Sequence, residues 1–268
     1  MNTSVKIATW NINSVRLRIE LVKKFLAAYS PDLLCLQETK VMDELFPREE
    51  FRALGYVHHA INGQKGYHGV AILSRLPLRK TDALRFCHNA DSRHVSVLLE
   101  NGLELHNFYV PAGGDIPDPD ENPKFAHKLA FLREMDGCFG RLGKSRDEPM
   151  VLVGDLNVAP LENDVWSHKQ MLGVVSHTPV ETGLLTAARE TFEWIDVTRS
   201  FVPEGEKIYS WWSYRAREWD VADRGRRLDH VWVSRGLRGC ATGHGILKEA
   251  RGWMRPSDHV PVMVTVSL

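Results

Sequence analysis

Apolar positions fall in short runs along the whole chain. Eight of these runs carry the β-branched and aromatic residues of strands: Val5–Trp10, Leu33–Gln37, Gly69–Leu73, Val95–Leu99, Leu103–Tyr109, Met150–Val153, Leu228–Val233 and Val260–Val266. Val262-Met263-Val264-Thr265-Val266 alternates, as a strand with one buried face does. Leu33-Leu34-Cys35-Leu36 is apolar throughout, which predicts a strand covered on both faces. Helical periods lie between the runs. Val15, Ile19, Val22 and Leu26 share one face of a segment that reaches about Tyr29 and is stopped by Pro31. Phe125, Leu129, Leu132, Met135 and Phe139 form a second stripe starting just after Pro123, and a weaker third covers about Val180–Ala188. Strands and helices mixed in this way predict an α/β or α+β chain, and many of the strand runs suit antiparallel pairing. The expected architecture is a two-sheet sandwich flanked by helices. Ala112–Asn122 (AGGDIPDPDEN) reads as a loop and not as a domain linker, because apolar periodicity resumes directly after it.

Composition narrows the function classes. The 268 residues suit one large domain or two small ones, and 43% hydrophobic with 25% charged residues is ordinary for a globular protein. Basic and acidic side chains balance at 34 each, so attraction to phosphate must come from a local patch and not from the overall field. Cys35, Cys87, Cys138 and Cys240 are far apart, which predicts reduced thiols and no zinc site. No apolar run approaches the ~20 residues of a membrane span, and the N-terminus has no apolar signal stretch. The expected compartment is the cytoplasm.

Polar clusters stand at the ends of several apolar runs. Glu38 follows Leu-Leu-Cys-Leu-Gln, where a carboxylate is either a hard-cation ligand or a solvated strand end. Asp155 and Asn157 follow Met-Val-Leu-Val-Gly, in an order that points both polar groups to one side of an extended chain. They suit either a held water or an Asx-turn. Asn11 and Asn13 follow Trp10, as bridging amides or as turn formers. Asp229 lies inside the apolar run Leu228–Val233 and needs a partner: His259, or Arg226 or Arg227. In Ser257-Asp258-His259 the acid and the imidazole are chain neighbours that point apart, which favours Asp229 as the partner of His259. Tyr109 reads equally as a core tyrosine or a phosphate-contacting hydroxyl, and His58, His59, His88, His106 and His127 read as structural or exposed. From Tyr209 to Arg227 aromatic residues interleave with arginines. That combination suits a nucleic-acid surface, or else a Trp-rich core edge capped by ion pairs to Glu218, Asp220 and Asp223. Of Trp211 and Trp212, one belongs in the core. Several carboxylates, two amides and one histidine, with no serine or cysteine nucleophile motif, P-loop or dinucleotide fingerprint, point to metal-assisted phosphodiester hydrolysis.

TWNINSVR, LCLQETK, GYHGVAILS, FYVPAG, VLVGDLNVAP, YSWWSYR, RRLDHVWVS and PSDHVPV, in this order over residues 5–266, resemble the successive motifs of the exonuclease III family of apurinic/apyrimidinic endonucleases, within the endonuclease/exonuclease/phosphatase superfamily. The resemblance implies a single-domain, four-layer α/β sandwich of two packed mixed β-sheets flanked by helices. It implies Mg²⁺, with Mn²⁺ as a substitute, and a monomer that cuts double-stranded DNA 5′ to abasic sites and trims 3′ ends. Carried over by motif, Glu38 would be the principal metal ligand with Asn11 beside it, and Asp155, Asn157, Asp258 and His259 would complete the metal site. Asp155 with Asn157 would handle the attacking water, Tyr109 would contact the scissile phosphate, and His259, held by Asp229, would bind or protonate phosphate oxygens. Either His259 or Asp155 would take the water proton. Trp211 and Leu228 match positions lining the family's abasic pocket, where Arg226 stands in place of an apolar or aromatic residue. Lys65, Tyr67, Arg93 and Arg227 are further candidate DNA contacts. A phosphoinositide phosphatase or sphingomyelinase on the same scaffold is the alternative enzyme class, against which the Trp/Arg segment argues. A non-catalytic DNA-binding module would not need the full set of catalytic side chains.

Overall fold

Alternation along the strands decides how the chain layers. A computed structural model describes residues 4–81 and 83–268; the N-terminal Met1–Thr3, part of the segment read above for a signal, lie outside the described residues. The strands are β1 (Ser4–Asn11), β2 (Leu33–Gln37), β3 (His58–Asn62), β4 (Val70–Ser74), β5 (Leu78–Lys80), β6 (His94–Leu99), β7 (Glu104–Tyr109), β8 (Met150–Asp155), β9 (Ile195–Asp196), β10 (Asp229–Val233), β11 (Ala241–Ile246) and β12 (Val262–Ser267). They form two six-stranded sheets, ordered β11-β12-β1-β2-β4-β3 and β5-β6-β7-β8-β10-β9. Both sheets are mixed. β2 runs parallel to β1 and antiparallel to β4; β8 runs parallel to β7 and antiparallel to β10. The two acid-tipped runs, Leu33–Glu38 and Met150–Asp155, therefore occupy equivalent places in the two sheets.

One core lies between the sheets. Val5 and Ile7, Leu33 and Cys35, Leu105, Val151 and Val153, and Val231 and Val233 all belong to it. The neighbours that face the other way pack under helices. Trp10 and Leu34 meet Val22, Phe25 and Leu26 of the helix Ile19–Tyr29, while Phe108, Leu152 and Trp232 meet Phe131 and Leu132 of the helix Pro123–Met135 and Leu185 of the helix Pro179–Thr191. This is the four-layer α/β sandwich expected from the motifs. Burying both faces of each sheet explains the all-apolar run of β2.

The helix and strand ends differ from the periodic pattern for local reasons. The first helix begins at Ile19, with Val15–Arg18 in turns, and ends at Ser30, whose left-handed backbone directs its N–H to Leu26 O before Pro31. The second starts at Pro123 with Asn122 as a side-chain cap. It stops at Met135, and Gly137, at φ 65°, separates Phe139 into a short helix of its own. The strands β3, β5, β9 and β11 escaped the pattern. β3 and β11 carry polar and glycine positions, as in HHAIN and ATGHGI, and β5 and β9 span only three and two residues.

Candidate active site

The inward-facing positions of five strands become polar towards one end of the sandwich. Above the apolar core lies a layer of Thr9, Gln37 and Asn107. Gln37 Nε2 donates to Asn107 Oδ1 at 2.6 Å and to Thr9 Oγ1 at 2.9 Å, and Asn107 Nδ2 donates to Leu36 O and Ala71 O at 3.0 Å. These bonds tie the two sheets together beneath the site. Two residues further along β1 and β7 come Asn11 and Tyr109, with Asp155 beside Tyr109 at the end of β8 and Asp229 at the matching end of antiparallel β10. Tyr109, Asp155 and Asp229 stand side by side across three strands in register. Gly154 permits this close stacking: at φ 143° its position for a Cβ lies 2.0 Å from Phe108 O, so only glycine fits.

Asp155 and Glu38 share Asn11. Asn11 Nδ2 donates to Asp155 Oδ2 at 2.8 Å and to Glu38 Oε1 at 2.9 Å, while its oxygen accepts from Asn13 N at 3.1 Å. Asn11 thus meets the acids through its amide hydrogens and bridges them across the two sheets. Tyr109 Oη donates to Glu38 Oε1 at 2.9 Å, and Lys40 Nζ lies 2.9 Å from Glu38 Oε2. Burial works to raise the Glu38 carboxyl, but Lys40 and Asn11 hold it below its ordinary value. Burial pushes the Tyr109 hydroxyl well up, with Glu38 and Asp155 adding to it, so it stays a proton donor. Asn157 supports Asp155 from the other side. Its N–H donates to Asp155 Oδ1 at 3.0 Å, and its Nδ2 donates to Asp155 Oδ2 at 3.1 Å and to Val110 O at 2.9 Å. The backbone there is left-handed (φ 53°) and not extended, so a turn brings the two groups together.

His259 takes Asp229 as its partner, Nδ1 to Oδ2 at 2.8 Å, and neither arginine reaches that acid. Ser210 fixes the pair by donating to Asp229 Oδ2 at 2.6 Å while accepting from the N–H groups of Leu228 and Asp229. The other imidazole nitrogen, Nε2, lies 3.7 Å from Asp155 Oδ2. Burial would lower the His259 pKa, but Asp229 and Asp155 outweigh it and hold it up at about 10. Burial lifts Asp155 well above the usual carboxylate range, with His259 pulling it back. Asp155, Asp229 and His259 each present a ligand-type atom, all within 4.8 Å of one another. Asp258 turns the other way: Oδ2 accepts from Trp211 Nε1 at 3.0 Å and Oδ1 from Asn13 Nδ2 at 3.3 Å.

These groups open on a cavity of about 640 Å³ whose lining includes Glu38, Asn157, Asp258 and His259 together with Trp166, Trp211, Leu228 and the arginines Arg215, Arg224 and Arg226. Arg224 lies over Trp166 and Arg226 over Trp211, with the guanidinium carbon 4.7 and 4.8 Å from the ring centres. None of the three arginines is ion-paired among the described residues.

The family model for the endonuclease/exonuclease/phosphatase family matches residues 8–259. The chain belongs to that family. Within it the enzyme is of the exodeoxyribonuclease III type. It is 31% identical to exodeoxyribonuclease III of Haemophilus influenzae, over 96% of this chain and 98% of that protein. Its fold matches an AP endonuclease from Archaeoglobus fulgidus with a TM-score of 0.91 at 29% identity, covering 98% of this chain and 100% of that one. It also matches the 3′ phosphatase NExo from Neisseria, bound to a product DNA hairpin, with a TM-score of 0.87 at 28% identity over 97% and 98% of the two chains.

Placement in this family member corrects one expectation. Arg227 is fully buried and cannot touch DNA. It donates to Asp164 at 2.7 and 2.9 Å and to Asp196 at 2.8 Å, and Arg199 completes the cluster on Asp164. Facing away from its neighbour Arg226, it pins the loop before β10 to the protein interior. The carboxylates Glu218, Asp220 and Asp223 do not cap the aromatic segment as ion-pair partners of its arginines; Asp223 accepts instead from Trp212 and Lys248. Trp212 is the core member of the tryptophan pair and Trp211 the cavity member. Arg93 is largely buried, with its guanidinium over the Tyr109 ring, and it borders a second cavity together with exposed Tyr67. Lys65 is exposed beside it in sequence. Sequence reading missed Lys40, Ser210 and Lys128. The first was visible two residues after Glu38, but the other two carry no local signal.

Proposed function

We propose that this enzyme is a DNA-repair nuclease that hydrolyses phosphodiesters of double-stranded DNA 5′ to abasic sites and trims 3′ ends, acting as a monomer with a divalent cation. The observation that carries the proposal is one cavity lined by Glu38, Asn157, Asp258 and His259 opposite indole rings and arginines without ion-pair partners, with Asp229 and Asp155 buried behind His259 and Asn157. The acids and imidazole suit hydrolysis by water, and the arginines and rings suit phosphates and unstacked nucleotides.

The donor set fits a hard cation. Glu38, Asp258 and Asp155 offer carboxylate oxygens, and no thiol joins them. Glu38 with Asp258 would hold Mg²⁺, or Mn²⁺ in its place, and the bound ion would neutralise charge developing on phosphoryl and leaving oxygens. Asp155, made more basic by burial and steadied by Asn11 and Asn157, takes the proton of the attacking water. His259, protonated and fixed by Asp229, donates through Nε2 to a phosphoryl oxygen. His259, with Nδ1 committed to Asp229 and Nε2 beside the cavity, serves in this reading as a proton donor. Tyr109, through its bond to Glu38, keeps that carboxylate oriented.

Asp155→Asn is the decisive variant. Nicking of an abasic duplex in Mg²⁺ is expected to fall by about 10²–10⁴-fold, the usual scale of a general base, with an unchanged circular dichroism spectrum. Full activity in that variant would sink the mechanism. Offering duplexes with an internal abasic site, a blunt 3′ end or a 3′ phosphate measures the balance of activities. Phosphate release from lipid head groups with no DNA cleavage would transfer the site to the lipid-phosphatase class. Arg226→Leu removes a charge from the Trp211 wall and is expected to raise abasic nicking relative to 3′ trimming by about tenfold, within the range of one altered pocket contact. An unchanged ratio would show that Arg226 takes no part in selecting the substrate.

A further inference from the structure

Behind the catalytic groups lies a buried ion pair that none of the chemistry above uses. Lys128, on the helix Pro123–Met135, is paired with Glu181, in the first turn of the helix Pro179–Thr191, and both are fully buried. Removing two charges from water is costly, and such a pair is often replaceable by apolar residues without loss of stability. The hydrogen bonds it makes therefore matter more than its Coulomb energy. Lys128 Nζ donates to Asn157 O at 2.7 Å and to Ala112 O at 3.3 Å, so its three hydrogens serve three separate segments. Glu181 accepts from Ser176 N at 2.9 and 3.0 Å and from Thr178 N and Oγ1 at 3.2 and 2.7 Å. Ser176 Oγ in turn accepts from Arg226 Nη1 at 2.8 Å.

The two ends of the pair thus reach two different walls of the cavity. Through Lys128 it holds the carbonyl of the left-handed Asn157, whose side chain and N–H grip Asp155. Through Glu181 it holds Ser176, which anchors Arg226 over Trp211. The loop between the two cavities rests on the same lysine. Gly113, at φ 89°, packs so closely that a Cβ there would lie 2.8 Å from Lys128 Cδ.

We infer that Lys128 is a positioning residue for hydrolysis: with Glu181 it fixes the Asn157 turn that orients Asp155, and the Ser176 contact that orients Arg226. The inference rests on the reading of Asp155 and Asn157 as the groups that handle water. Without the ammonium, the buried Asn157 carbonyl loses its donor, and the turn is free to shift by the fraction of an ångström that misplaces a reacting group.

The test is Lys128→Met with Glu181→Gln, which leaves no lone buried charge. For the abasic duplex in Mg²⁺, kcat is expected to fall about 10- to 100-fold with KM changed by less than about threefold, and with the melting temperature kept within a few degrees. Lys128→Gln with Glu181→Gln keeps a shorter, neutral donor and is expected to lose about three- to tenfold in kcat; it also carries the test if the methionine pair fails to fold. Parental kcat in either folded variant, or a loss that follows only the unfolded fraction, would overturn the inference. Asp155→Asn and Asn157→Ala assayed alongside separate the two levels. If they keep full activity, the proposed function fails and takes this inference with it. If they lose activity while the lysine variants keep it, this inference alone fails.

Discussion

His259 and His106 are both buried, and both face a carboxylate, yet their surroundings give them opposite characters. His106 Nε2 lies 3.2 Å from Glu104 Oε1 on the outer face of the second sheet, and its Nδ1 lies 3.1 Å from His94 Nε2. His94 Nδ1 accepts from Leu84 N–H at 2.9 Å. Because a backbone N–H can only donate, the tautomers follow in order: His94 carries its proton on Nε2 and gives it to His106 Nδ1, which leaves the proton of His106 on Nε2, towards Glu104 but without a well-formed hydrogen bond. Burial holds both imidazoles below their ordinary pKa. His259 has two carboxylates near it instead of one, is held protonated, and keeps Nε2 facing Asp155 at 3.7 Å beside an open cavity. A histidine–carboxylate contact is therefore not by itself a catalytic signal. An excess of negative charge together with an uncommitted ring nitrogen at a cavity is what separates the two.

The largest expected effect comes from removing that excess. Asp229→Asn should lower single-turnover cleavage by about 10²–10⁴-fold, with little change in melting temperature. The sign of the pH effect follows from the raised pKa. Activity that needs protonated His259 is present below about pH 10 and is lost as pH rises through it, and without Asp229 this alkaline limb should move to lower pH. A limb that stays in place would mean that His259 is not the proton donor. The opposite pattern belongs to the other histidines. His94→Ala leaves Leu84 N–H and His106 Nδ1 without partners and opens a void. It should cost about 2–4 kcal/mol of stability in urea melts, with kcat per folded molecule unchanged; a selective loss of kcat would erase the distinction drawn here. The smallest effect is a pH dependence. His106, and then Lys144, outweigh burial and hold the Glu104 carboxyl down at about 2, against an ordinary 4.5. A depressed folded pKa contributes stability above the unfolded value and loses it as pH falls. Glu104→Gln should therefore flatten the stability curve between about pH 4.5 and 2; parallel curves for variant and parent would show that Glu104 carries no such linkage.

Much of this site could be read from the chain because its residues end strands. Glu38, Asp155 and Asn157 each follow an unbroken apolar run, which marked them as strand ends; Asp229 read as lying inside the run Leu228–Val233, and the structure puts it at the start of β10. The neighbour rule also separated His259 from Asp258 and gave it Asp229. The polar or very short edge strands could not be read in the same way. Neither could the positive-φ backbone at Glu38, since nothing in local composition marks it, whereas a turn was one of the two readings at Asn157. Arg226 and Arg227 show the limit most plainly. Both looked like phosphate contacts, but adjacent residues face opposite ways, and only the position of Asp164 and Asp196, 63 and 31 residues away, decided which one was buried.

By itself the sequence determined a mixed α/β chain with its chemistry at strand ends, because these follow from short-range periodicity, and the order of its motifs carried the resemblance that implies the family and the four-layer sandwich. Tertiary structure alone decided which of two buried histidines meets two carboxylates, which arginine faces the cavity and which lysine holds the Asn157 carbonyl. Those outcomes depend on how many charges and hydrogen-bond partners meet at a point, and the partners come from segments far apart in the chain.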